Sequence, residues 1–418
     1  MEKIKSFFKH IFNRIFVLIR WVFFSCLSGA VIGFVCVAFY LLMHEAVKFR
    51  EGHDLIILGL PFAGLAIVWF YSVMDSRNDR GTNLILESIS KGEKVPVKMM
   101  PLIFVSTIVT HLFGGSAGRE GAALQIGGSL GSFFGDILRL DHKDRQLFIM
   151  CGMSAAFSAL FGTPVAAAIF AIEVISIGTM NYAALVPCAI ASITSDYITD
   201  KYELAGETFH IFSISEFNVT GAAEALLLAC LCAGVSVIFC IMLHKTEKLF
   251  KLIKNPYIRI FTGGCIIVAL TYLLDTRDYN GVNMNVIWKA VRGEVKYEAF
   301  FLKMVFTAIT LACGYKGGEI LPSLFIGATF GSAAGYLLGL SPSLCSAIGM
   351  VSVFCGVTNC PVTSILLSVE MFGTEGLPYY FIAVAISYML SGYYSLYKTQ
   401  TIVFSKYTNE IVDKSTHK

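Results

Sequence analysis

Apolar stretches follow one another along almost the whole chain, and charged residues are concentrated in the connections between them. Hydrophobic residues make up 56% of the 418 residues and charged residues 15%, whereas an ordinary soluble domain carries roughly 25% charged residues. A chain this apolar cannot cover its own surface with polar side chains. We therefore predict a polytopic membrane protein. We exclude a cytosolic enzyme, a disordered protein and, because the net charge is only +3, a partner of nucleic acids.

The apolar stretches are uneven in length, and glycine or proline interrupts many of them. A straight helix needs about 20 residues to cross ~30 Å of hydrocarbon. Shorter or broken helices are tolerated only where they are buried in protein or line a cavity. The sequence therefore predicts an all-α fold with tilted and broken helices, within stretches near 15–43, 55–74, 99–113, 121–138, 147–180, 182–199, 219–243, 258–274, 299–313, 320–340, 343–372 and 377–396.

Two connections of opposite charge predict the topology. The connection from His244 to Arg259 is basic, and the one from Asp200 to Glu216 is acidic on balance. Because cytoplasmic loops carry an excess of Lys and Arg, we expect the first connection and the basic N-terminus in the cytoplasm. The predicted order is a basic N-terminal segment, a first transmembrane half, a linker, a second transmembrane half and a short polar tail, at 1–14, 15–200, 201–218, 219–400 and 401–418.

The 12 cysteines lie almost all inside apolar stretches. We interpret them as small buried hydrophobic residues. Their spacing predicts neither a disulfide framework nor a metal site, and no pattern indicates a cofactor.

The chain repeats itself after about 200 residues. Gly81-Thr82-Asn83-Leu84 recurs as Gly281-Val282-Asn283-Met284, and the glycine ladder at 127, 131 and 135 recurs at 327, 331 and 335. Six residue types between 152 and 173 recur between 349 and 370 at a constant offset of 197. We interpret this as two related membrane-embedded halves, and an inverted relation is favoured. Such halves are typical of transporters and channels, whose sites lie at the repeat interface near matched broken segments. Here these segments open at Gly81, Gly118, Gly317 and Pro361.

The glycine-rich turn Gly114-Gly-Ser-Ala-Gly-Arg-Glu-Gly121 leads directly into an apolar helix. Bare backbone N–H groups and the positive end of the helix dipole favour an anion at such a position. Gly81-Thr82-Asn83 and Gly317-Gly318 open in the same way. Thr82 offers a hydroxyl donor and Asn83 an amide donor, although both also suit a turn. The sequence therefore predicts an anion site.

Two acids accompany these helix starts. Glu120 lies at the helix start where a bound anion would lie, so its carboxylate competes with the anion for the backbone amides. Protonation of Glu120 releases these amides. We therefore predict that Glu120 is a gate and a proton acceptor, with helix capping as the alternative. Glu319 is the matching acid of the second half, and either relays the proton or only caps its helix. Arg119 either pairs with an acid or orients the turn.

Other polar residues have plainer interpretations. Glu173 and Glu370 end the proline-containing helices of both halves, and this duplication favours a shared structural role. His111 is interpreted as a packed histidine. Tyr393, Tyr394 and Tyr397 follow the last apolar stretch, either as interface anchors or with a hydroxyl directed at the site.

From about residue 15 to 400, the chain resembles the CLC family of chloride channels and anion/proton antiporters. The most specific match is Gly118-Arg119-Glu120-Gly121, in which Ala122 replaces the family's proline. Gly318-Glu319-Ile320-Leu321-Pro322 matches a second family segment in its glycine and proline. The resemblance implies that Glu120 is the external gating glutamate, that these segments line the anion site, and that Tyr394 is the site tyrosine. It also implies a homodimer with one pathway per subunit.

The chain departs from the chloride-transporting pattern at two positions. Thr82 replaces the serine that coordinates chloride, and Val174 stands where chloride/proton antiporters carry an internal proton glutamate. In both respects, and in Glu319, the sequence is similar to the fluoride-exporting branch of the family. This resemblance implies fluoride/proton antiport across a bacterial inner membrane.

Three alternatives remain open at this point. A chloride channel or chloride/proton antiporter would have the same fold. A cation-coupled solute symporter would need sites rich in carboxylates or carbonyls, against which the glycine turns argue. An integral-membrane enzyme is the most remote, since the chain carries no nucleophile–His–Asp set, H-E-x-x-H motif or phosphate-binding loop. We therefore expect a transporter rather than an enzyme, with a halide, protons and the lipid bilayer as partners.

Overall fold

The computed structural model describes residues 2–76, 80–204, 206, 208–214 and 216–416. Within these residues the chain forms sixteen α-helices, eight in each half. The helices of the first half are α1 (Glu2–Glu51), α2 (Leu60–Val73), α3 (Thr82–Lys91), α4 (Met99–Leu112), α5 (Glu120–Ile137), α6 (His142–Phe161), α7 (Pro164–Glu173) and α8 (Leu185–Lys201).

The helices of the second half follow in the same order. They are α9 (Val219–Phe250), α10 (Pro256–Leu273), α11 (Met284–Val291), α12 (Ala299–Cys313), α13 (Ile320–Leu338), α14 (Pro342–Thr358), α15 (Pro361–Phe372) and α16 (Leu377–Leu390). Two short 3-10 helices, at Asp54–Gly59 and Tyr182–Ala184, precede α2 and α8. The all-α, repeated architecture is therefore as the sequence predicts.

Five helical segments of the described chain are long and apolar enough to cross a membrane, at Ser6–Glu51, Asp54–Val73, Val219–Phe250, Pro256–Leu273 and Ile320–Leu338. Helix α1 runs without a break through the boundary at residue 14, so the basic N-terminal segment is part of the first long helix. Helices α1, α2, α9 and α10 expose many large apolar side chains, whereas nearly every residue of α13 and α14 is buried. Helices α1, α2, α9 and α10 therefore lie at the periphery, and α13 and α14 lie in the interior.

Two apolar stretches that look continuous in the sequence are each divided into two helices. Helix α6 ends at Gly162, which has a φ of +65°, and α14 ends at Asn359, which has a φ of +60°. A residue in this left-handed region terminates a helix, and the proline that follows two residues later starts the next one. Helices α7 and α15 are consequently short and lie inside the protein, where broken helices are tolerated.

The glycine ladders bring neighbouring helix backbones into contact. A Cβ atom on Gly127 of α5 would lie 2.1 Å from the carbonyl oxygen of Gly152 on α6. In the second half, a Cβ atom on Gly327 of α13 would lie 2.3 Å from the carbonyl oxygen of Gly349 on α14. The repeated glycines therefore serve the close helix packing that their spacing predicts.

A small sheet joins the end of the chain to the first half. Strand β1 (Ser176–Ile177) pairs in parallel with β2 (Thr401–Phe404), which pairs antiparallel with β3 (Ile411–Ser415). The sequence predicts only a polar tail after residue 400. These strands are only two to five residues long, which is too short to give a periodic signal in the sequence.

Candidate anion site

The starts of α5 and α13 meet at a pair of glycines 200 positions apart. The N–H group of Gly118 donates to the carbonyl oxygen of Gly318, and the N–H group of Gly318 donates to that of Gly118, both at 2.7 Å. The pairing is antiparallel, so the two segments are related by a twofold rotation. A Cβ atom on Gly318 would lie 2.4 Å from the backbone nitrogen of Gly121. No larger residue fits here without separating the two helix starts.

Helix α3 begins beside the same point. The hydroxyl of Thr82, its first residue, donates to the carbonyl oxygen of Gly121 at 3.4 Å. Gly81 precedes it with a φ of +57°, which favours glycine. The segments opening at Gly81, Gly118 and Gly317 are therefore brought together.

The fourth expected segment does not open at this site. The backbone N–H groups of Val362 and Thr363, at the start of α15, donate to the carboxylate of Glu173 at 3.0 and 2.8 Å. The expectation for Pro361 is therefore wrong, because a carboxylate of the protein already occupies that helix N-terminus. Reciprocally, Glu370 accepts hydrogen bonds from the start of α7. The shared structural role predicted for Glu173 and Glu370 is confirmed.

A cavity of about 500 Å³ lies beside the start of α3. Its wall includes Gly81, Thr82, Asn83, Gly317 and Glu319. The cationic side chains on the wall outnumber the carboxylates, since Arg80, Lys251, Arg259, Lys316 and Lys398 stand against Glu247 and Glu319. The balance of charge on the wall therefore favours an anion.

Glu120 is fully buried at the first position of α5. Its Oε2 accepts a hydrogen bond from the backbone N–H of Arg119 at 3.1 Å, and its Oε1 from Nε of Arg119 at 3.3 Å. The carboxylate thus takes the position at the helix N-terminus that an external anion would take. The guanidinium of Arg119 also lies 4.8 Å from the ring centre of Tyr40, so Arg119 both pairs with the acid and packs within the fold.

Glu319 lies on the cavity wall, and its Oε2 is 3.6 Å from the position that a Cβ atom on Gly121 would take. Its side chain makes no capping hydrogen bond to the first turn of α13, which argues against the capping alternative. Ile320 and Leu321 are the first residues of that helix; their side chains are buried and are not part of the cavity wall.

The tyrosine on the cavity wall is Tyr397 and not Tyr394. The side chain of Tyr394 is 39% exposed and is not part of the cavity wall. Tyr397 is 2% exposed and lies on the wall, and its buried hydroxyl has no hydrogen-bond partner among the described residues. The expectation for Tyr394 is wrong because α16 ends at Leu390 and the chain turns at Gly392, which has a φ of +59°. Helical spacing therefore no longer tells which side chain points inward.

Asn83 connects α3 to this C-terminal segment. Its Oδ1 accepts hydrogen bonds from the backbone N–H and from the hydroxyl of Thr399, at 3.3 and 3.2 Å. The amide oxygen thus holds the segment that carries Tyr397, while Asn83 remains on the cavity wall.

Gln125 is a residue of the site that sequence reasoning missed. Its Nε2 donates to the hydroxyl oxygen of Thr82 at 3.3 Å and to the carbonyl oxygen of Gly121 at 3.2 Å. Its Oε1 is buried without a hydrogen-bond partner among the described residues. The signal in the sequence is its spacing, because it lies one helical turn after Gly121.

His111 is fully buried, and its two ring nitrogens lie 2.8 and 3.0 Å from the carbonyl oxygens of Thr107 and Ala117. The prediction of a packed histidine is confirmed. Its contact with Ala117 supports the turn that leads to Gly118.

A membrane-embedded fold of two repeated halves, whose broken helices begin around one cation-lined cavity, defines an anion channel or transporter. The chain belongs to the voltage gated chloride channel family, the CLC family, whose profile matches residues 63–392. The resemblance read from the sequence is thereby confirmed.

Individual relatives agree with this assignment. A chloride/fluoride channel protein of Pseudomonas syringae pv. tomato is 34% identical over 396 residues, which cover 93% of this chain and 88% of the relative. The crystal structure of a CLC-type fluoride/proton antiporter is 32% identical and superposes with a TM-score of 0.89, over 93% of this chain and 99% of that one. A slow cyanobacterial Cl⁻/H⁺ antiporter, 18% identical with a TM-score of 0.75 over 89% of this chain and 94% of that one, shares the fold.

Proposed function

We propose that this protein exports fluoride in exchange for protons. The observation that carries the proposal is the meeting of the α5 and α13 starts at Gly118 and Gly318, with Glu120 on one side and the cavity acid Glu319 on the other. Two carboxylates at adjoining helix N-termini provide both a competitor for a bound anion and a proton acceptor. The names of the two relatives that are more than 30% identical support fluoride as the anion.

The exchange follows from competition for the same amides. When Glu120 is ionised, its carboxylate holds the start of α5 and no anion can bind there. Protonation from the outside removes the negative charge, so that the side chain leaves and fluoride from the cavity takes its place. The proton then passes to Glu319 and from there into the cavity and the cytoplasm, while fluoride leaves to the outside and the ionised Glu120 returns to the start of α5. The inward proton gradient thereby drives fluoride out.

The polar side chains on the cavity side belong to three elements. Thr82 and Asn83 come from the start of α3, Gln125 comes from α5, and Tyr397 comes from the segment after α16. The Nε2 of Gln125 already donates to Thr82 and Gly121, whereas the hydroxyl of Tyr397 is a donor with no partner among the described residues. A small anion with a strong preference for hydrogen bonds suits such a donor. Chloride transport by the same fold is the second candidate.

The proposal extends to the surroundings of the protein. We place the chain in a bacterial inner membrane with its N-terminus and the cavity mouth in the cytoplasm, because the connection from His244 to Arg259 is basic. Residues 15–200 and 219–400 are the two transmembrane halves, joined by 201–218. A homodimer with one pathway in each subunit is part of the same proposal.

Purified protein in liposomes tests the exchange and its selectivity. An outward fluoride gradient should drive proton entry, read with a pH-sensitive dye, and a matched chloride gradient should drive less than a tenth of that flux. In Glu120→Gln the fluoride-driven proton flux should vanish, because the amide cannot accept a proton. Equal proton fluxes with the two halides would reject fluoride selectivity, and unchanged proton flux in the variant would reject the role of Glu120.

A further inference from the structure

Most of the cations on the cavity wall are already engaged within the protein. Lys251 and Lys398 both pair with Glu247, and Arg80 pairs with two glutamates, Glu87 and Glu93. The ammonium of Lys316 lies 4.3 Å from the ring centre of Tyr71. These contacts hold the side chains in place and reduce the charge that they present to the cavity.

Arg259 differs from these cations. It lies on the cavity wall in the first turn of α10. Its backbone N–H donates to the carbonyl oxygen of Asn255 at 3.0 Å. Its side chain has no hydrogen-bond or ion-pair partner among the described residues, and its Nε is buried from solvent. The backbone around it is fixed, because Asn255 caps α10 through the N–H of Tyr257 and Pro256 takes the first helical position.

A guanidinium offers five N–H donors and remains charged at any physiological pH. Burying one of its donors without an acceptor is unfavourable. A ligand that accepts hydrogen bonds and carries negative charge would therefore bind favourably at this position. The cavity already contains a second donor without a partner, the hydroxyl of Tyr397. The two donors line one cavity. Arg259 lies in the first turn of α10, at the end of the basic connection, whereas Tyr397 belongs to the segment that Asn83 holds at the start of α3.

We propose that Arg259 is the first binding site of the transported anion when it enters the cavity, before the anion moves on to Tyr397 and the helix starts. This proposal rests on the proposed function, since it assigns one step of that transport. Arg259 raises the local concentration of the anion and its rate of entry. It takes no part in the proton step, because Glu120 is bonded to Arg119 and lies outside the cavity wall on which Arg259 lies.

Steady-state fluoride transport in liposomes tests this role. In Arg259→Met the KM for fluoride should rise about three- to tenfold, the range expected for the loss of one partly screened charge. The maximal rate and the ratio of protons to fluoride should stay as in the wild type. Arg259→Lys should recover much of the affinity. Lys254→Met, which removes an exposed cation of the same connection outside the cavity wall, should leave the KM unchanged.

A charge-reversal experiment separates electrostatics from packing. Arg259→Cys is treated in detergent with either a positively or a negatively charged methanethiosulfonate reagent and is then reconstituted, with treated wild type as the control for native thiols. The positive adduct should lower the KM towards that of the wild type, and the negative adduct should raise it further. Equal effects of the two reagents, or a KM of Arg259→Met within twofold of the wild type, would overturn the proposal.

Two further results bear on the interpretation. If the effect of Arg259→Met occurs only in liposomes with anionic lipid, Arg259 binds a lipid phosphate and the proposal is overturned. If the wild type carries no fluoride-driven proton flux, the proposed function fails. If the wild type exchanges fluoride for protons normally and Arg259→Met has an unchanged KM, only the role of Arg259 is contradicted.

Discussion

Residue chemistry explains which polar groups of the cavity are free to bind an anion. Most buried polar groups in proteins are hydrogen-bonded, so the exceptions point to a ligand. Among the described residues, the hydroxyl of Tyr397 is a cavity donor without a partner, whereas the hydroxyl of Thr82 is engaged with Gly121. The unpartnered Oε1 of Gln125 is an acceptor and does not bind an anion. Tyr397 is therefore a better candidate for direct anion binding than Thr82, although the sequence singles out Thr82.

The pair Tyr397 and Tyr394 allows a matched test. Tyr397→Phe removes the unpartnered donor without changing the shape of the side chain, so the KM for fluoride should rise about tenfold, as expected for the loss of one hydrogen bond to a charged group. Tyr394→Phe removes a hydroxyl from a side chain outside the wall and should leave the KM within twofold of the wild type. Fluoride flux from liposomes over a range of fluoride concentrations measures both. The reverse order of effects would restore Tyr394 as the site tyrosine.

The sequence could identify residues whose role follows from backbone chemistry. Glycine turns before helices lead to Gly81, Gly118 and Gly318, and an acid within such a turn leads to Glu120. It could not distinguish Tyr397 from Tyr393 and Tyr394, because the direction of a side chain after a helix end is not encoded in its spacing. It could not identify Arg259, because the role of Arg259 depends on which neighbouring cations are already paired. Both are properties of the tertiary structure.

At the scale of elements, the apolar stretches of the sequence predict the long helices but not the short amphipathic ones. Helix α12, at Ala299–Cys313, coincides with a predicted apolar stretch. Helices α3 and α11 lie outside the predicted apolar stretches because each has one apolar and one polar face. Helix α3 nevertheless provides Thr82 and Asn83 on the cavity wall. A helix that contributes to the cavity is therefore not predicted from hydropathy alone. The glycine repeat was the signal that revealed it.

The contact between the starts of α5 and α13 makes a sharp prediction. Gly318→Ala places a Cβ atom 2.4 Å from the backbone nitrogen of Gly121, and a backbone cannot yield as a side chain can. We expect a loss of about 1–3 kcal/mol in the free energy of unfolding, seen as a lower Tm in detergent. Fluoride-driven proton flux should be lost, because the two helix starts are pushed apart.

Gly234→Ala is the matched control for this substitution. Gly234 lies inside α9, and nothing lies within 4 Å of the position that its Cβ atom would take. Alanine favours a helix over glycine by about 1 kcal/mol, so the Tm should stay the same or rise and the flux should be unchanged. Two variants with the same Tm would contradict the close contact at Gly318.

At the scale of the whole molecule, two similar halves have produced one polar cavity because the copies have diverged. Gln125 near the start of α3 corresponds, 200 positions on, to Phe325. In the second half Lys303 is fully buried, and its ammonium donates to the carbonyl oxygens of Tyr279 and Gly281 and lies 5.0 Å from the Phe325 ring centre. The amine of Lys303 therefore binds the backbone there. The repeat predicts the framework of both halves but not this difference.

The ammonium of Lys406 fixes the end of the chain to the second half, and this can be tested at that one residue. The ammonium of Lys406 lies between the ends of α14 and α16 and donates to Oδ1 of Asn359, the carbonyl oxygen of Tyr388 and the hydroxyl of Ser391. A cation is favoured at helix C-termini, and Lys406→Met would leave these acceptors without their donor. We expect a loss of about 1–3 kcal/mol in unfolding free energy, measured as a lower Tm in detergent. Lys414→Met, which changes an exposed lysine of β3, should leave the Tm unchanged. If the two variants unfold at the same temperature, the sheet alone anchors the tail and the buried ammonium adds nothing to stability.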